Sequence, residues 1–179
     1  MGSPNAAFSF LIETLTGIVL TIVILRILLE AVRADWYNPI CQGLIKITDP
    51  LVKPLGKLIP RAGAINVAAI VVLFVIQLIG LIVLFLINGF MPDALTLIVV
   101  SIRRLVRQLL VIYLIMIIAV VIISWVGQNA RHPIIPLLFK LTDPILLPIR
   151  RVLPDLGGFD LSPLIALIGI QFLIILLGV

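Results

Sequence analysis

The chain has 179 residues, of which 63% are hydrophobic and 12% charged, and its 13 basic against 8 acidic side chains give a net charge of +5. Soluble domains hold about 45–50% apolar and about 25% charged residues, and a fold this small cannot bury such an excess inside its own core. A water-soluble globule is excluded, and lipid is expected to cover the remainder.

Residues 8–32 form the first apolar run, interrupted by Glu13, Arg26 and Glu30. Its length suits a spanning helix, which needs about 20 apolar residues. No Lys or Arg precedes it and no small-x-small site closes it, so it reads as a retained helix instead of a cleaved signal peptide. Asn38-Pro39 follows, a pair in which Asn caps a helix and proline takes its first position. It opens an amphipathic segment that leads into KITDPLVKPLGKLIP at 46–60. There Asp49-Pro50 repeats the cap-then-proline signal, so Asp49 is expected to start a second short helix. Leu51, Leu55, Leu58 and Ile59 fall on one face of it, with Lys53 and Lys57 on another. Pro54 removes a further backbone donor and should bend it.

Residues 62–92 carry no charge and predict a second span at 66–87, with Gln77 at its middle. A third span is expected at 105–126, beside Arg103, Arg104 and Arg107. His132-Pro133 then matches Asn38-Pro39, and KLTDPILLPIRRVLP at 140–154 repeats the cassette, with Asp143, Pro144 and Pro148 in place. Its apolar side chains, Ile145, Ile149, Val152 and Leu153, oppose Arg150 and Arg151. The last run predicts a fourth span at 161–178 and contains Gln171.

The landmarks of the second cassette lie 94 positions after their counterparts (142 − 48 = 94 for the threonines). The chain is therefore a tandem duplication, divided into residues 1–92 and 93–179. The expected fold is an all-α membrane protein with four transmembrane helices in two parallel repeats, each with an amphipathic helical hairpin on the cytoplasmic side. Such hairpins lie in the headgroup layer, with Lys53, Lys57, Arg150 and Arg151 toward anionic lipid. Nine basic residues flank or occupy the cassettes, Arg33, Lys46, Lys53, Lys57, Arg61, Arg131, Lys140, Arg150 and Arg151, against three at the other end. Their excess places the cassettes in the cytoplasm and both termini in the periplasm.

The paired segments YNPICQGLIKITDPLVKPLGKLIPRAG and RHPIIPLLFKLTDPILLPIRRVLPDLGG resemble the YggT family of small bacterial and plastid membrane proteins, over essentially the whole chain. The second copy departs at Asp155, where the first has Arg61, and at Asp160, where the first has Asn66. The resemblance implies a multi-pass protein of the bacterial cytoplasmic membrane, linked to osmotic or ion homeostasis, cell division and, in plastid relatives, cytochrome assembly. No reaction comes with it.

Polar residues within the spans carry the remaining expectations. Gln77 and Gln171 are equivalent and are expected to bond each other across the second and fourth helices, or else to line a solute path. Glu13 and Arg107 are equivalent positions of opposite charge at one depth, and they are expected either to reach headgroup water separately or to pair with each other. Catalysis is not expected, since the sequence has no nucleophile elbow, phosphate-cradling glycine loop or metal-ligand cluster. Cys41 and His132, one of each, make no ordinary metal site, and no cofactor is implied. Lipid explains the basic residues better than nucleic acid does. Two functions fit: a non-catalytic membrane factor whose cassettes dock a membrane or cytoplasmic partner, and a small channel or transporter with its path between repeats or within a homo-oligomer.

Overall fold

The computed structural model describes residues 4–63, 65–126, 132–153 and 160–178. Arg131, Pro154 and Asp155 of the second cassette and its flanks lie outside these. The described chain is helical: α1 (Pro4–Ala31), α2 (Pro39–Gly56), α3 (Val67–Ile87), α4 (Ala94–Val126), α5 (Ile134–Val152) and α6 (Ser162–Leu177). No strand occurs among the described residues, although an isolated bridge joins Ala62 and Ile65.

Three helices, α1, α3 and α4, are long and apolar enough to cross a bilayer. The fourth apolar helix, α6, has only 16 residues, about 24 Å against the roughly 30 Å of hydrocarbon. It stops at Gly178, whose φ of 60° turns the chain into the left-handed region. The fourth expected span is thus a shorter apolar helix. In contrast, α4 begins well before residue 105, because Asp93 caps it: Thr96 N–H donates to Asp93 Oδ2 at 3.0 Å and the Thr96 hydroxyl to Oδ1 at 2.6 Å.

The cassettes depart from expectation. Each is one continuous helix instead of a hairpin, with Pro50 and Pro54 inside α2 and Pro144 and Pro148 inside α5. Asp49 and Asp143 therefore cap nothing. The reason is where the prolines sit: all four lie on the exposed face, where solvent can satisfy the carbonyls they orphan. Thr48 and Thr142 face inward and donate back to Leu44 O and Leu138 O at 2.6 and 2.9 Å, a contact that also bends helices. Of the caps expected one segment earlier, Asn38 is the N-cap of α2, whereas α5 has Pro133 as its N-cap and His132 stands one residue before it. Asn38 Oδ1 accepts from Ile40 N–H at 2.9 Å, and His132 Nδ1 accepts from the equivalent Ile134 N–H at 3.3 Å.

Helix α1 packs on α2 and α3, and α4 packs on α5 and α6. The largest buried cluster crosses between these groups, joining Ile24 and Leu29 of α1 to Ile112 and Met116 of α4, with Cys41, Leu137 and Leu141 alongside. Val52 meets Ala68, Ala69 and Val72 in one half, and Leu146 meets Ile117, Ala166 and Ile170 in the other. At the loop end Asn38 Nδ2 donates to Pro133 O and Lys140 Nζ to Arg33 O, both at 2.7 Å. Large apolar side chains, among them Phe10, Ile79, Trp125 and Phe172, stay exposed around the bundle. Lipid is the covering such a surface requires.

Candidate functional site

Polar residues gather at two places, one near each end of α1. Toward its C-terminal end, Arg26 and Glu30 stand one turn apart and are 6% and 5% exposed. Arg26 Nε bonds Glu30 Oε1 at 2.9 Å, while its NH1 bonds the Thr48 hydroxyl at 2.7 Å and Asp49 Oδ1 at 2.9 Å. Asp49 Oδ2 also takes Lys53 Nζ at 2.7 Å. Asn66, the N-cap of α3, donates to Glu30 Oε1 at 3.4 Å and accepts from Ala69 N–H at 3.2 Å. Arg61 NH2 stands 3.5 Å from Glu30 Oε2. The network binds α1, α2 and the start of α3 together, and buried charges persist only when paired this way. Burial acts to raise the Asp49 pKa, but hydrogen bonds from Lys53 and Arg26, with their charges, hold it below the ordinary aspartate range.

The second half lacks this network. Val120 and Ser124 occupy the positions equivalent to Arg26 and Glu30, and the Ser124 hydroxyl donates only to Val121 O at 2.7 Å. Asp143 is half-buried and has no ion pair or hydrogen bond among the described residues. Asp160, in the place of Asn66, pairs with Arg150 at 2.7 Å. Lys53, Lys57, Arg150 and Arg151 are all exposed. Sequence reasoning noted Arg26 and Glu30 only as charges in an apolar run. Their i, i+4 spacing within a spanning helix was the available signal.

The other place is a cleft of about 390 Å³ between α1, α3 and α4, lined by polar Glu13, Thr16, Gln77, Arg104, Arg107 and Gln108 over walls such as Leu20, Leu81 and Val111. Arg104, Arg107, Gln108 and Val111 share a helical face at i, i+3, i+4 and i+7. Gln108 Nε2 bridges to Gly17 O at 2.8 Å and the Thr21 hydroxyl at 3.0 Å, tying α4 to α1. Gly80 lets α1 and α3 approach closely, since a Cβ there would lie 2.7 Å from Thr16 Cγ2.

Two expected pairings are corrected. Glu13 meets Arg104 at 3.4 Å instead of Arg107. The contacts of α1 with α4 run one turn out of step with the duplication: Glu13–Arg104 and Gly17–Gln108 are both separated by 91 residues. Gln77 and Gln171 do not bond. Gln77 is buried at 5% and faces the cleft, whereas Gln171 is exposed on α6. Neither Arg107 nor Gln77 has a side-chain partner among the described residues. Cys41 is buried, and burial pushes its thiol up, away from a reactive thiolate.

The CCB3/YggT family model matches the chain twice, at residues 5–87 and 99–179. The chain is 42% identical over 177 residues to an uncharacterized protein of the proC 3′ region in Vibrio alginolyticus, covering 96% of this chain and 94% of that one. It is 35% identical over 171 residues to an uncharacterized Pseudomonas aeruginosa protein, covering 94% and 87%. It is also 35% identical over 157 residues to the uncharacterized YggT of Escherichia coli K12, covering 88% and 81%. No solved structure matches.

Proposed function

The chain belongs to the CCB3/YggT family, and on that premise we propose that it is a non-catalytic factor of the bacterial cytoplasmic membrane whose two cassettes dock a membrane or cytoplasmic partner. Its repeats, residues 1–92 and 93–179, run parallel, with α2 and α5 at the cytoplasmic headgroups and both termini in the periplasm. Osmotic or ion homeostasis, envelope organisation and membrane-complex assembly are the roles such docking would serve. The observation that carries the reading is the fastening of α2: Arg26 holds its buried edge through Thr48 and Asp49, while Lys46, Lys53 and Lys57 remain exposed. A basic platform anchored to a membrane bundle suits an acidic surface or headgroup layer.

The alternative, a conducting path between the repeats, is disfavoured by what lies beneath the cleft. Val23, Ile24, Ile117 and Val120 are at most 3% exposed, and the space between the halves on the loop side is an apolar cavity of about 240 Å³ lined by Leu25, Ile112, Met116 and Leu141. A hydrated ion meets no polar partner there.

Photo-crosslinkers at Lys57 and Arg151, used in native membranes, test the reading. A discrete protein adduct is expected at both positions, lost when Lys46 and Lys53 are reversed to Glu. Crosslinks to lipid alone, together with ion flux through proteoliposomes that stops on Gln77→Leu, would replace docking with conduction.

A further inference from the structure

We infer that the cleft between α1, α3 and α4 is a binding site for a phosphate-type oxyanion, independent of the docking cassettes. The argument begins with charge. Among the described residues Arg103 donates to Leu177 O and Arg104 meets Glu13, so each has a protein partner. Arg107 has none, although it lines the cleft beside Arg104. Two guanidinium groups against one carboxylate leave the cleft one positive charge in excess. A guanidinium offers a planar fork of donors matched to carboxylate and phosphate oxygens.

Depth supplies the second observation. Arg107 alone would be explained by headgroup water, which long basic side chains readily reach. Gln77 is different. It sits at the centre of α3, is 5% exposed, and has no hydrogen-bond partner among the described residues, yet it lines the same space. An amide left unpaired at mid-helix in an apolar bundle is costly unless a ligand or water supplies its partners. The Thr16 hydroxyl nearby makes no side-chain hydrogen bond either. Arg107 of α4 and Gln77 of α3 thus supply a cationic and a neutral donor to the lining of one space of about 390 Å³, within the range of small-ligand pockets. Gln108, whose Nε2 is spent on Gly17 and Thr21, holds the α1 and α4 walls in place.

The phosphate could arrive on a lipid headgroup or free in solution, and the test separates these. Full-length protein in nanodiscs of mixed phosphatidylglycerol and phosphatidylcholine is analysed by native mass spectrometry. In parallel, protein in phosphatidylcholine nanodiscs is titrated with inorganic phosphate, and binding is read by ³¹P NMR. Selective retention of phosphatidylglycerol identifies the lipid source, and saturable phosphate binding the free one. In either case Arg107→Gln and Gln77→Leu should each weaken binding by about tenfold or more. Arg107→Lys should fall between, and Glu13→Gln should strengthen binding. Ser124→Ala, exposed near the other end of α4, should bind as the parent does. Size-exclusion profiles identify any variant that misfolds, and Glu13→Gln then still decides, because it acts by gain. Failure of the parent protein to bind either probe, or equal binding by the parent, Arg107→Gln and Glu13→Gln, would overturn the assignment.

Discussion

Arg26 is held by oxygens from Glu30, Thr48 and Asp49, so removing it leaves two carboxylates of the bundle with only the exposed Arg61 and Lys53 as counter-ions. Arg26→Met should destabilise the protein by about 3–5 kcal/mol, the usual cost of breaking a buried pair from one side. Adding Glu30→Leu and Asp49→Leu should recover much of that loss, and thermal unfolding in detergent measures both effects. Asp49 also sets an acid limit. Its folded pKa is depressed, so its stabilisation is complete above the unfolded aspartate value of about 3.9 and is lost as pH falls through the lower folded value. Acid titration of Asp49→Asn should lack that portion of the decline. At this scale the sequence was legible where chemistry is local. Asn38 caps its helix, and His132 makes the equivalent bond from one residue before the N-cap of α5, because the bonded N–H lies two residues on. Asp49 was misread for the same reason: a local cap was available on paper, but Arg26 and Lys53 claim its carboxylate.

Among the elements, α1 and α3 cross where Gly80 meets Thr16. Gly80→Ala should push them apart at a cost of about 1–3 kcal/mol, typical of overpacking, and Thr16→Ala in the same chain should restore stability. A chemical-denaturation cycle of the four proteins would expose the coupling, and additive effects would show that the contact is not the cause. The end of α1 offers an opposite case. Arg33 holds φ 50°, with Ala34 N–H bonded to Leu29 O and Arg33 N–H to Glu30 O, a helix stop that favours glycine. Arg33→Gly should therefore stabilise by about 1 kcal/mol, seen as a higher unfolding temperature. The apolar runs foretold α1 and α3 closely, because composition alone marks a hydrocarbon-length helix. They missed the first turns of α4, since a helix can continue into polar surroundings past the apolar run. They also split each cassette, since proline is a breaker only where its freed carbonyl lacks water.

For the whole molecule, the duplication is plain in sequence but the halves are held by different forces: buried ion pairs from α1 fasten α2, whereas Thr142 and Leu146 seat α5, whose Arg150 pairs with Asp160 at an exposed end. Asp49→Asn should consequently cost more than Asp143→Asn, whose effect should stay within about 0.5 kcal/mol. Equal losses would mean that the halves are energetically alike. With Cys41 replaced by Ala, single cysteines at Lys53 and Arg150 should react with a membrane-impermeant reagent from the same side, and labelling from opposite sides would end the parallel arrangement. The i, i+4 spacing of Arg26 and Glu30 also has a bearing on birth order. Asp49 lies 23 residues beyond Arg26, so at about 5–20 residues per second the ribosome delivers it roughly 1–5 s later. Glu30 belongs to α1 itself, and the helix brings its counter-ion with it. Arg26 is thus already half-neutralised when α1 leaves the ribosome, and α2 docks onto a charge that has been waiting in company.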